Sequence, residues 1–223
     1  MTDDKTRQNL DMTLISVFYD ASINPLRKDA TKKAVSCWMK QKNLPKEMLF
    51  LELGFNGKFT FKQSDFPSCM QYVRIDGNDS HKYLFQKEHL WNIAAKQAKF
   101  DKLVFVDSDI APSKDIDWFK KCHNVLDKCL FTQGFTNISY LKKDGDVDFT
   151  KKSYSATFDG KTHQDGAPGG VYCIAKSTLA AIGWFNFVPL GGGDDLFWSE
   201  FTGNRSSLMV FLSKRMHVFD KMQ

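Results

Sequence analysis

The stretch Leu103-Val104-Phe105-Val106-Asp107-Ser108-Asp109 decides the reading of this chain. Four consecutive apolar residues predict a short strand buried on both faces, and such strands belong to parallel sheets covered by helices. The run stops at two carboxylates separated by one residue. In open α/β sheets ligands bind beyond the carboxyl ends of the strands, so an Asp-x-Asp placed here is a candidate for holding a divalent ion, Mn²⁺ or Mg²⁺, by oxygen atoms. Away from such a strand end, the same two aspartates read as surface or capping chemistry.

Working upstream, residues 14–19 form another apolar, partly β-branched run and predict a strand that ends in a polar loop over 20–27, where Asn24-Pro25 marks a turn. Residues 29–43 predict an amphipathic helix with Ala34, Val35, Trp38 and Met39 on its inner side. Strands follow at 48–53 and 71–75, the latter leading into the polar loop that begins at Asp76, and then a helix over 83–99. Downstream, the pattern predicts a helix over 115–126, a strand over 129–135 and a hairpin or loop within the polar segment 142–164. A strand over 171–174 follows Pro168-Gly169-Gly170, then a helix over 177–182, a helix starting near Asp194 and a last strand over 208–212 leading to His217. Strands alternating with helices predict an α/β fold, a mostly parallel sheet flanked by helices.

The bulk properties agree. The chain has 223 residues, 42% of them hydrophobic and 14% aromatic, which suits one domain over 1–223 with a flexible N-terminus over 1–12. Neither repeats nor low-complexity tracts divide it. A net charge of +5, from 31 basic and 26 acidic residues, is mild; it favours phosphate-bearing ligands and permits a nucleic-acid partner without requiring one. Five cysteines without a CxxC pair read as free thiols of a reducing compartment. Together with a polar N-terminus and no apolar run of roughly 20 residues, this predicts a cytoplasmic protein without a membrane span.

A second acidic feature is Gly191-Gly192-Gly193-Asp194-Asp195. Glycines let the backbone approach a ligand, and carboxylates at a helix start face backbone donors and the helix dipole. A flexible lead-in to an ordinary N-cap explains Asp194 equally well. Asp195 is a candidate general base that takes the proton from an attacking hydroxyl. Trp184 and Trp198 could stack on a sugar ring or serve the core, and Lys142-Lys143 with Lys151-Lys152 read as a solvated loop face.

Three segments together resemble the β-1,4-galactosyltransferases and related family-2-type enzymes of the GT-A (Rossmann-like) fold. They are Phe85-Gln86-Lys87-Glu88-His89-Leu90-Trp91-Asn92, the run from Val104 through Asp109 to Pro112, and Gly169-Gly170-Val171 with Lys176, Gly183-Trp184 and Gly192-Gly193-Asp194-Asp195. The resemblance implies a metal-dependent glycosyltransferase moving a sugar from a nucleotide-sugar, a UDP-sugar by preference, to a glycan or other hydroxyl acceptor. It implies Asp109 as a metal ligand with Asp107 beside the metal and ribose, and His217 as a further ligand. Asn24, Arg27, Asp76, Lys87, Asn92 and Gly170 fall on its donor side. Asp194, Gly192, Gly193 and Trp184 fall on its acceptor side, with Asp195 as the base of an inverting reaction. The chain departs from that family at Asp194, where the family has Glu, and at Val188-Pro189-Leu190, where galactosyltransferases carry a tryptophan before the glycines. Other readings of the same motifs are a retaining transferase, a phage-type enzyme that glycosylates hydroxymethylated bases of DNA, and a non-catalytic module that binds sugar nucleotides or glycans.

Overall fold

The computed structural model describes residues 8–20, 22, 24–78, 81, 82, 84, 86–158 and 166–185. Along them run β1 (Asn9–Tyr19), α1 (Pro25–Met39), β2 (Leu44–Phe55), β3 (Met70–Gly77), α2 (Lys87–Gln97) and β4 (Lys102–Asp107). After these come α3 (Trp118–Val125), β5 (Phe131–Gln133), β6 (Asn137–Leu141), β7 (Val147–Lys152), α4 (Tyr154–Thr157), β8 (Val171–Ala175) and α5 (Lys176–Ala181). Six strands make one sheet in the order β3-β2-β1-β4-β8-β5, and β6 and β7 pair separately. The first four strands are mutually parallel, whereas β8 runs antiparallel to both β4 and β5.

Side-chain alternation along the strands builds two apolar layers. Met12, Leu14, Phe18, Phe50, Val104 and Val106 face α1 and α3, which contribute Ala34, Val35, Trp38, Trp118, Phe119 and Cys122. Ile15, Val17, Leu49, Leu51, Leu103 and Phe105 face α2 and α5, with Leu90, Trp91, Ala94, Ala95 and Leu179. The small alanines of α2 let that helix lie close to the sheet. Helix α1 starts where Asn24 Oδ1 accepts the Leu26 amide at 3.0 Å and Pro25 occupies the first turn.

Several boundaries differ from the pattern-based expectation. Strand β1 begins at Asn9, inside the stretch expected to be flexible, because its first residues alternate between exposed and buried, and β2 begins at Leu44, earlier than expected; Asp11 and Lys46 pair at 2.6 Å across the two strands. Helix α2 is shorter than expected, since Ala98 is already extended at φ −57° and ψ 137°. Strand β5 ends at Gln133, whose side-chain amide donates to the carbonyls of Ala167, Pro168 and Gly169. The hairpin starts at Asn137, before the polar segment that suggested it. All five cysteines are free thiols, and Cys122 and Cys173 are buried. No described helix is long and apolar enough to cross a membrane.

Candidate active site at the ends of β1 and β4

The strand order reverses between β1 and β4: β2 and β3 extend the sheet on one side, β8 and β5 on the other. Such a switch point opens a crevice beyond the carboxyl ends of the two strands. Tyr19 is the last residue of β1 and Asp107 the last of β4. Odd-numbered residues of both strands face α2, so alternation turns Tyr19 and Asp107 toward the start of that helix. There Lys87, its first residue, places Nζ 3.5 Å from Asp107 Oδ1. The Lys87 side chain is only 9% exposed, and its ammonium lies 4.8 Å from the centre of the Trp91 ring. Glu88 follows, buried in the first turn of α2, where a carboxylate suits the helix dipole.

These charges share one neighbourhood with Tyr19. Burial pushes the Tyr19 phenol far above its ordinary range; Lys87 opposes that shift, Glu88 adds to it, and Arg27 and Asp107 act in the same two senses. Arg27 donates to the Tyr19 carbonyl at 2.9 Å, lies 3.6 Å from buried Asp20 and packs its guanidinium over Phe18. Asn24 is bound into the same loop, its amide donating to Asp20 Oδ2 at 2.6 Å.

The turn that carries the two aspartates is fixed by its backbone. The Asp107 amide donates to the Gly170 carbonyl at 2.9 Å, and the Ile110 amide returns to the Asp107 carbonyl at 3.1 Å. Trp38 of α1 donates its indole N–H to the Ile110 carbonyl at 2.9 Å. Gly170 has φ +99°, and a Cβ there would come within 2.9 Å of Ile110 Cδ1, so both backbone conformation and space call for glycine. Asp107 Oδ1 is buried and turned toward Lys87, and the 29% exposure of its side chain therefore comes from the rest of the group. Asp109 is exposed at the tip of the turn. Two carboxylates on one rigid turn, one of them open to solvent, suit a hard divalent cation. Among the described residues, no third acidic, histidine or cysteine side chain joins them.

The remaining expected residues divide. Asp76, at the end of β3, accepts the Gly57 amide at 2.9 Å and is exposed. Asn92 exchanges two hydrogen bonds with the Phe185 backbone, donating at 2.8 Å and accepting at 3.0 Å. Trp184 is half-buried against the α2 layer at φ +72°, with Lys96 Nζ 5.4 Å from its ring. Gly192, Gly193, Asp194, Asp195, Trp198 and His217 lie outside the described residues. Sequence reasoning missed Tyr19 and Glu88. Their signals were the odd parity that Tyr19 shares with Val17 and Ile15, and a carboxylate in a first helical turn. A separate cleft of about 370 Å³ between α3, β5 and α4, lined by Trp118, Cys122, Gln133, Thr136 and Ser153, contains none of these site residues.

No family model matches the chain, and no curated protein matches it. Solved structures do. S. aureus TarS matches with a TM-score of 0.53 and 14% identity, covering 83% of this chain and 32% of that one. TarS residues 1–349 in complex with UDP-GlcNAc match with a TM-score of 0.53 and 13% identity, over 83% of this chain and 51% of that one. The same TarS segment in complex with UDP gives 0.51 and 15%, over 83% and 53%. The chain thus spans about half the length of the shorter TarS structures and about a third of the longer one. Likeness at this level of identity is a likeness of fold alone: the chain shares the fold of these TarS structures, and in it a mostly parallel six-stranded sheet lies between two helical layers.

Proposed function

We propose that this chain is a glycosyltransferase that moves a sugar from a uridine nucleotide to an acceptor hydroxyl. The observation that carries the reading is the meeting of Lys87 and Asp107 beyond the ends of β1 and β4, where the sheet order reverses. The same fold in TarS, whose structures hold UDP and UDP-GlcNAc, supports a uridine nucleotide as the donor to test.

In this reading the crevice holds the donor. Arg27 and Asn24 line the β1 side, Asp76 and Gly170 complete its walls, and Asn92 belongs to the donor side only as the family resemblance implies. Lys87 contributes a fixed positive charge toward the diphosphate and holds Asp107 in one orientation. Mn²⁺ or Mg²⁺ would be held by Asp109, with Asp107 beside it and His217 as a further ligand; when bound, it supplies positive charge to the departing diphosphate. Asp194, Gly192, Gly193 and Trp184 hold the acceptor. Its hydroxyl oxygen attacks the anomeric carbon, its proton passes to the Asp195 carboxylate and the bond to the diphosphate oxygen breaks, with inversion. This is the order of roles in the β-1,4-galactosyltransferases that the sequence resembles.

Calorimetric titration of UDP and UDP-GlcNAc, with Mn²⁺ and then with chelator, tests the reading on the wild type and on Asp109→Ala. Metal-dependent binding that the substitution removes is expected. If neither nucleotide nor Mn²⁺ binds the wild type, the reading fails. Asp195→Asn should keep donor affinity and lose transfer, and turnover retained in that variant removes Asp195 from the role of base.

A further inference from the structure

The β6–β7 hairpin carries an aromatic face that the strand-end chemistry leaves unused. In its register Ile138 lies opposite Lys151 and Tyr140 opposite Phe149, and residues directly opposite or two apart share a face. The rings of Tyr140 and Phe149 stack at a centroid distance of 4.4 Å and an interplanar angle of 18°, yet remain 41% and 46% exposed. Cross-strand stacking stabilises the hairpin by itself; it does not account for where this face leads. Ile138 Cδ1 lies 3.5 Å from the position of a Cβ on Gly170, next to Ile110 Cδ1 at 2.9 Å. Gly170 and Ile110 are the backbone partners of Asp107. Ile138, on the hairpin face of the stacked rings, therefore packs beside Gly170 at the aspartate turn.

The charge of the hairpin narrows what this face could hold. Lys142, Lys143, Lys151 and Lys152 stand against Asp144, Asp146 and Asp148, so the element is close to neutral and lacks the field that a polyphosphate backbone requires. Exposed rings, one of them bearing the Tyr140 hydroxyl, suit a neutral ring that has an apolar C–H face and a hydroxylated rim, as a pyranose does. We propose that the Tyr140–Phe149 face is an acceptor platform for a glycan: one sugar unit packs on the rings while the unit that receives the transferred sugar reaches over Gly170 to the Asp107 turn. This rests on the transfer reading above and names its acceptor class.

Saturation-transfer NMR on the whole chain, with cellotriose, maltotriose and chitotriose as probes and UDP titrated in parallel, tests the platform. The wild type should give signal with at least one trisaccharide. Tyr140→Leu and Phe149→Val, which keep apolar strand residues, should each weaken that binding about five- to ten-fold, whereas Phe149→Tyr should retain it. UDP affinity should be the same in all of these variants. If the wild type gives no trisaccharide signal, or if Tyr140→Leu and Phe149→Val bind as the wild type does, the platform is overturned while UDP binding leaves the transfer reading standing. If UDP fails to bind but the trisaccharide response depends on both rings, the transfer reading falls and the face remains a glycan-binding surface. Binding of a DNA oligonucleotide that Lys142→Glu with Lys151→Glu abolishes, in place of any sugar signal, would overturn the glycan assignment in favour of a nucleic acid.

Discussion

The ammonium of Lys87 lies 3.5 Å from Oδ1 of Asp107, joining the first residue of α2 to the last residue of β4. The contact exists because Asp107 shares the parity of Leu103 and Phe105 and so faces α2, and because α2 starts level with the strand ends. Lys87 is nearly enclosed and Asp107 Oδ1 is buried, so the two charges compensate one another where water reaches them least.

Lys87→Met should therefore cost about 2–3 kcal/mol of stability, since it leaves a largely buried carboxylate oxygen without its cation; the 29% exposure of Asp107 keeps the loss below that of a fully enclosed pair. Urea unfolding measures this. In the proposed transferase, Lys87→Arg should recover most of the stability and part of the UDP affinity, while Lys87→Met recovers neither. An unchanged urea midpoint in Lys87→Met would show that the pair is not energetically coupled.

Two tyrosines predict the alkaline behaviour. Burial raises the ionisation of both Tyr19 and Tyr72 above the ordinary value of 10.0, and at Tyr72 a hydrogen bond to Glu52 adds to it. The unfolded chain then releases these protons first. Their contribution is fully present below about pH 10 and is lost as pH rises from there toward the elevated folded values. Urea midpoints at about pH 9 and about pH 11 should differ more in the wild type than in Tyr19→Phe with Tyr72→Phe. Equal differences in the two proteins would place the alkaline loss elsewhere.

Gly170→Ala tests the turn. The φ of +99° makes any side chain strained, and the new methyl would meet Ile110 Cδ1 at 2.9 Å. A stability loss of about 1–3 kcal/mol is expected from the backbone alone. Ile110→Val in the same chain relieves the contact and not the φ, so it should restore only part of the loss. Full restoration would mean that crowding, and not backbone conformation, selects glycine here.

The parts of the site that the sequence revealed are those set by strand pattern. Leu103 to Val106 reads as a buried strand, its end locates the crevice, and the parity of Asp107 gives the side of the sheet it faces. What was not readable depends on where a helix begins and what it meets. The pairing of Lys87 with Asp107 needs the start of α2 to lie level with β4, and no local pattern encodes that. Trp38 reads as a core residue, and it is one, but its indole N–H also holds the Ile110 carbonyl of the aspartate turn across more than seventy positions of sequence. The aromatic pair of the hairpin was hidden for a related reason. Tyr140 and Phe149 sit in a polar, lysine-rich segment, and only the cross-strand register brings their rings together.

Asn92 separates the role implied by family resemblance from the role its contacts support. Its amide donates to the Phe185 carbonyl at 2.8 Å and its carbonyl accepts the Phe185 amide at 3.0 Å, so both ends of the side chain close on one backbone residue. Phe185 is buried beside Trp91 and Phe105, which makes this clamp the tie between α2 and the end of the segment following α5. Asn92→Ala should lower stability by about 2 kcal/mol through loss of both bonds, and Asn92→Asp should do nearly as much harm, because a carboxylate cannot donate to the Phe185 carbonyl. If the clamp is the residue's whole role, UDP affinity measured well below the melting temperature stays at the wild-type level in Asn92→Ala. A large loss of UDP affinity without a matching loss of stability would instead return Asn92 to the donor site that the resemblance implies.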